Sequence, residues 1–160
     1  MILVSSQRST YLKEMTQPET MERPSARKKK EFTILYVDDE APNLRGFKSA
    51  FRRLYNIKTA ENPIVALEIV KSEHIDLVVT DHRMPDMVGT ELLADVYDHN
   101  PEIRRMILSG FIKRHELDEA VGSFGIHEFV TKPWNYDEML EIFERLLRTN
   151  PDVKTFSTPS

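Results

Sequence analysis

Phe32-Thr33-Ile34-Leu35-Tyr36-Val37-Asp38-Asp39-Glu40 is the stretch on which the fold turns. It is a short run rich in aromatic and β-branched side chains, and it ends abruptly in three carboxylates. Its apolar residues fall at successive positions rather than alternate ones. That is the pattern of a strand buried on both faces, and so of a parallel sheet with helices on each side.

Outward from this stretch the same reading repeats. Residues 75–80 are an apolar run, 56–60 a weaker strand candidate, Arg105-Met106-Ile107-Leu108 a fourth strand and 126–130 a fifth. Between them lie helical patterns. Leu44, Phe47, Ala50, Phe51 and Leu54 recur at helical spacing. Asn62-Pro63 opens a second helix, with Asn as cap and Pro in the first turn, and Val65-Ala66-Leu67 and Ile69-Val70 follow. Leu92, Leu93, Val96 and Tyr97 make a third helix, stopped by Asn100-Pro101. A short helix over 115–121 is expected to close at Gly122. The last begins at Asn135 with Glu138 as a capping box, and its apolar face is Tyr136, Met139, Leu140, Phe143, Leu146 and Leu147. Strand and helix alternate five times. Right-handed crossovers then predict an α/β fold: a doubly wound, five-stranded parallel sheet with helices on both faces.

In such sheets a site forms beyond the carboxyl ends of the strands, where strand order reverses. The strand ends deliver Asp38, Asp39 and Glu40, then Asp81, then Ser109, then Lys132. Nothing comparable follows the second strand, as expected of an outlying one. Carboxylates packed together raise one another's pKa unless a cation neutralises them. A hard divalent ion suits them, and magnesium binds through one or two carboxylates plus phosphate oxygens. One carboxylate can then act as a nucleophile toward phosphorus, with Lys132 as fixed positive charge and Ser109 as hydroxyl donor.

Four segments carry a resemblance: Tyr36-Val37-Asp38-Asp39-Glu40, Thr80-Asp81-His82-Arg83-Met84-Pro85-Asp86-Met87-Val88-Gly89, Leu108-Ser109-Gly110 and Thr131-Lys132-Pro133-Trp134. Together they resemble the receiver domain of two-component response regulators, of the chemotaxis-regulator kind, over residues 32–149, and the resemblance implies the flavodoxin-like strand order 2-1-3-4-5. The resemblance implies that Asp81 is the phosphoacceptor and that Mg2+ is held by Asp39 and Asp81 directly, by Asp38 mostly through water, and by the backbone carbonyl of Arg83. It implies that Ser109 bonds the phosphoryl group and moves on activation, that Lys132 pairs with a phosphoryl oxygen, that Phe129 is the switch aromatic, and that the Lys132-Pro133 bond is cis. The implied partners are a sensor histidine kinase or phosphotransfer protein and a downstream protein met through the fourth helix, fifth strand and fifth helix. A homodimer stays open.

The chain departs from the common pattern at Arg83, two residues past the acceptor, and at Phe111, two past Ser109. Both are bulky, and the expectation is that they restrict water at the acyl phosphate and slow its loss. Phe129 lacks a hydroxyl, so a switch there would be a change of burial. Taken singly, the acidic triplet would read as a helix N-terminal cluster, Ser109 as a loop hydroxyl, Lys132 as a surface lysine and Phe129 as core. Their joint placement overrides this for the site residues. His74, His82, His99, His115 and His127 show no ligand spacing, and only His82, beside Asp81, merits a test. Trp134 either packs over the edge of the site or staples the last helix.

Composition sets the outer bounds. The 160 residues are 40% hydrophobic and 30% charged, ordinary for one globular domain. No apolar run is long enough to span a bilayer, and Met1-Ile2-Leu3-Val4 breaks at once into polar residues, so neither membrane nor signal peptide is expected. Cysteine is absent, which fits a reducing cytoplasm. Net charge is −4, but residues 1–31 carry seven Lys/Arg against four Glu, leaving −7 on the rest. The first 31 residues read as a disordered basic leader and 150–160 as a flexible tail. Four clustered bases, Arg27 to Lys30, are too few to argue for nucleic acid. The tail is too short for a helix-turn-helix, so the output is expected through protein contacts. A haloacid-dehalogenase-type phosphatase would need an Asp where Arg83 stands, and a cap domain. A dinucleotide site would need a glycine-rich turn after the first strand. The remaining alternative is a pseudo-receiver, a binding module with this fold but no phosphorylation.

Overall fold

The structure is a computed structural model that describes residues 29–149. The basic leader and the tail expected from the sequence lie outside the described residues, apart from 29–31. Five strands, β1 (Thr33–Val37), β2 (Asn56–Ala60), β3 (Leu77–Thr80), β4 (Arg104–Ser109) and β5 (Glu128–Thr131), alternate with five helices. These are α1 (Ala41–Phe51), α2 (Pro63–Ser72), α3 (Gly89–His99), α4 (Arg114–Phe124) and α5 (Tyr136–Arg148). The sheet order is β2-β1-β3-β4-β5, and every pairing is parallel. The expected order is therefore the observed one. No helix among the described residues is long and apolar enough to cross a membrane.

The continuous apolar runs have the predicted cause. Successive side chains of a strand point to opposite faces. On one face Ile34 and Tyr36 of β1 join Leu77, Val79, Met106 and Leu108 beneath Phe47 and Phe51 of α1 and Met139 and Phe143 of α5. On the other, Leu35 and Val37 join Val78 and Ile107 beneath Ala66 and Val70 of α2, Leu92, Leu93 and Val96 of α3, and Ala120 of α4. A helix-covered sheet of this kind leaves only its strand ends free for chemistry.

The helix ends follow the caps in most cases. Asn62 accepts from the Val65 N–H at 2.9 Å, and Asn135 accepts from Asp137 and Glu138 N–H at 2.9 and 3.1 Å. The reciprocal carboxylate bond expected of Glu138 occurs instead on α4, where Glu116 accepts from the Lys113 N–H at 3.3 Å. The expected stop at Gly122 is corrected: α4 runs on to Phe124. Gly125 ends it, because the turn into β5 needs a left-handed residue (φ 66°). Strands β3 and β5 begin two residues later than expected. Ile75 and Ile126 are buried but precede the first paired residues.

Arg105 joins the two flanking turns. It is buried, yet its guanidinium donates to the carbonyls of Pro101 (2.9 Å) and Gly125 (3.0 and 3.2 Å), and to that of Ile103. It also lies 5.0 Å from the centroid of the Tyr97 ring. Its backbone N–H donates to Nδ1 of His127 at 3.1 Å. Burial, with the charges of Arg105 and Arg104, pushes the His127 pKa down to about 4. The folded value thus lies below the ordinary one near 6.5, so between those two pH values the unfolded chain binds more protons than the folded one. Stability should fall as pH drops from about 6.5 to about 4, by an order of 1–2 kcal/mol once solvent screening of this partly exposed ring is allowed for. Urea unfolding of the wild type and of His127→Gln across that range checks it, and equal slopes for the two would overturn it.

Candidate phosphoacceptor site

Four strand ends meet at one edge of the sheet. β1 runs directly into Asp38 and Asp39, β3 into Asp81 and β5 into Lys132, while Ser109 closes β4. One ligand oxygen from each of Asp38, Asp39 and Asp81 lies within 4.8 Å of the others. Asp39 is exposed, Asp81 half-buried and Asp38 fully buried. Lys132 Nζ lies 2.7 Å from Asp38 Oδ2 and 3.8 Å from Asp81 Oδ2. The Lys132-Pro133 bond is cis, as expected.

Asp38 is held from every side. Its Oδ2 accepts from the Tyr36 hydroxyl (2.7 Å), from Lys132 and from the Asn43 amide (3.1 Å), and its Oδ1 accepts from the Glu40 N–H (2.9 Å). Burial works against its charge, but bonds from Lys132, Tyr36 and the Glu40 N–H, with the charge of Lys132, hold the carboxyl below the usual range. The same carboxylate, together with burial, raises the pKa of the Tyr36 hydroxyl.

Asp81 is positioned by its own loop. Its Oδ1 accepts from the His82 N–H at 2.7 Å, and the His82 carbonyl accepts from the Gly89 N–H at 2.8 Å. A Cβ on Gly89 would stand 2.4 Å from the Asp81 carbonyl oxygen, so only glycine lets α3 start this close to Asp81. The His82 ring is buried, with Nε2 3.2 Å from Glu116 on α4 and Nδ1 without a partner.

The other expected residues fall as follows. Ser109 is buried, and its hydroxyl donates weakly to the Phe111 carbonyl at 3.4 Å. Arg83 is exposed, and its guanidinium lies 4.9 Å from the centroid of the Phe111 ring, itself 54% exposed. Phe129 is half-buried, packed against the core cluster that includes Ala120 of α4. Trp134 packs on Phe47 and Phe51 of α1. Tyr36 and Asn43 were not legible as site residues. The signal for Tyr36 was its place two residues before Asp38 on a strand, which puts both side chains on one face.

The donor set suits a divalent cation. Three carboxylates and one ammonium leave two negative charges, and the exposed Asp39 and half-buried Asp81 leave oxygens open to solvent.

The family model for the response regulator receiver domain matches residues 34–144. The chain belongs to that family. Among curated relatives, the receiver domain is 31% identical to chemotaxis protein CheY-3 of Vibrio cholerae, over 73% of this chain and 95% of that one. It is 27% identical to the hydrogenase transcriptional regulatory protein HoxA of Cupriavidus necator over 70% of this chain, but spans only 23% of that protein. A crystal structure of a Neptuniibacter caesariensis protein superposes with a TM-score of 0.69 at 36% identity, covering 74% of this chain and 89% of that one. Receiver domains are signalling domains of two-component systems, and phosphorylation on Asp is general for them.

Proposed function

We propose that this receiver domain is a phosphorylation-controlled switch that takes a phosphoryl group on Asp81 from a sensor histidine kinase or a phosphotransfer protein. The observation that carries the reading is the cluster of Asp38, Asp39 and Asp81 within 4.8 Å, with Lys132 between two of its members. An oxygen of Asp81 bonds to phosphorus as the bond from phosphorus to the donor's imidazole nitrogen breaks, and the freed imidazole takes a proton from solvent. Asp39 and Asp81 would hold magnesium directly, with the Arg83 carbonyl as third ligand and Asp38 acting through water, since four donors already occupy the Asp38 oxygens. The ion supplies charge that neutralises the phosphoryl oxygens. Lys132 pairs with one of those oxygens, and Ser109 turns its weakly bound hydroxyl toward another.

The signal leaves through protein contacts. A groove of about 730 Å³ between α4, β5 and α5 is floored by Leu117, Val121, Phe129 and Ile142. Phe129 sits in it, so a change of its burial would be read there. Phosphorylation shifts the balance between two arrangements only as far as it favours one of them.

The test is incubation with magnesium and a small phosphodonor, read by intact mass beside Asp81→Asn. A single, magnesium-dependent phosphoryl on the wild type supports the reading. No adduct where a control receiver is labelled would favour the pseudo-receiver. We also propose that Arg83 and Phe111 shield the acyl phosphate. Their contact is worth about 0.5–1 kcal/mol at an exposed site, and Phe111→Glu should lose its phosphoryl severalfold faster. Equal decay rates would end that idea.

A further inference from the structure

Oxygen Oδ2 of Asp38 has more donors than it has lone pairs: Tyr36, Lys132 and Asn43 all point at it. The side chain is 0% exposed, so bulk solvent does not stand in for a donor that leaves. Yet Lys132 must leave if it is to serve a phosphoryl group, because its ammonium rests on Asp38 and stands off at 3.8 Å from Asp81. A buried carboxylate stripped of its cation is costly unless other donors stay.

Tyr36 is built to stay. Its ring is buried and stacked on Phe47, with centroids 4.2 Å apart and planes at 23°. A strand residue in that core needs only an apolar body, but this one carries a hydroxyl whose partner is Asp38. Asn43, on the first turn of α1, adds a second fixed donor and ties the same oxygen to Glu40.

We propose that Tyr36 is a positioning residue of the phosphoacceptor site: its hydroxyl, with the Asn43 amide, keeps Asp38 fixed for magnesium while Lys132 is released toward the phosphoryl group. This rests on the phosphoacceptor reading above.

The test uses the full chain and magnesium alone, titrated by 15N NMR at the Asp39 and Asp81 amides. Tyr36→Phe keeps the ring and its stacking and removes one hydrogen bond to a charged group, a loss worth about tenfold in magnesium affinity. Asn43→Ala, at a half-exposed position, should weaken it in the same direction by less, and it serves if Tyr36→Phe folds poorly. Tyr55→Phe is the control. That buried tyrosine donates to Glu144 at 2.9 Å, so its loss should lower stability and leave magnesium binding alone. In a Lys132→Met background the Tyr36→Phe penalty should grow, because Asp38 then depends on Tyr36 and Asn43. Magnesium binding within twofold of wild type in both variants, or strictly additive penalties, would overturn the proposal, since a merely structural Tyr36 predicts both. A wild type that binds magnesium but takes no phosphoryl would sink the signalling reading while the Tyr36 comparison still decides this one. A wild type that binds no magnesium overturns both.

Discussion

Asp81→Asn should abolish phosphoryl uptake while leaving the fold at least as stable as the wild type. The two halves of this result have one electrostatic origin. Asp38, Asp39 and Asp81 crowd one edge of the sheet with Lys132 alone between them, so without a metal the folded state carries uncompensated repulsion. Asparagine keeps the shape, and its side-chain oxygen can still accept from the His82 N–H that Asp81 Oδ1 engages. It lacks only the charge that makes the carboxylate a nucleophile and a metal ligand. Intact mass with a small phosphodonor and magnesium reads the first half, and urea unfolding without magnesium reads the second. Added magnesium should stabilise the wild type and not the mutant, because only the wild type gains by binding it. Residual labelling of Asp81→Asn would move the acceptor to another residue, with Asp39, the exposed member of the cluster, the next to test. A large loss of stability would mean that Asp81 is held by contacts that outweigh the repulsion.

The topology was legible because strands buried on both faces write themselves as continuous apolar runs, as 32–37, 75–80 and 106–108 do. The carboxyl ends of parallel strands share one edge, and that placed Asp38, Asp39, Asp81, Ser109 and Lys132 together without any knowledge of side-chain positions. What could not be read is which partner each charge chooses. Lys132 rests on Asp38, 94 residues away in the chain, a pairing that the strand ends alone do not specify. Tyr36 passed for core because its body is core and only its hydroxyl belongs to the site. Arg105, at the head of the 105–108 stretch, is a buried cation satisfied by main-chain carbonyls, one of them 20 residues further on. The bond between His82 and Glu116 spans 34 residues, so adjacency to Asp81 singled out His82 but not its partner. Gly122 and Gly125 compete as helix stops. Local sequence favours whichever comes first, whereas the direction of the turn into β5 selects Gly125. These are tertiary choices, and each is settled by contacts that no local window contains.

Phe47→Ala should cost about 3–5 kcal/mol, against a total of about 5–15 for a domain of this kind. Phe47 is fully buried and sits at the centre of an aromatic cluster, with ring centroids at 4.2 Å to Tyr36, 4.9 Å to Phe51, 6.1 Å to Phe143 and 6.2 Å to Trp134. Its neighbours come from β1, α1, α5 and the turn that carries Lys132, so collapse into the vacated space would have to shift several elements at once. Close-packed interiors relax only partly, and the cavity term adds to the lost burial. Leu54 and Ile64 make the contrast: they are 51% and 63% exposed, and alanine there should cost no more than about 0.5 kcal/mol. Urea midpoints at unchanged slope measure all three. The core change should also reach the site, because the stack with Phe47 fixes the ring whose hydroxyl holds Asp38. Under conditions where Phe47→Ala remains folded, its magnesium affinity should therefore fall toward that of Tyr36→Phe, whereas Leu54→Ala should bind as the wild type does. A stability loss below about 1 kcal/mol would instead mean that Phe51, Phe143 and Trp134 close over the gap, and the Tyr36 ring would then keep its place without Phe47.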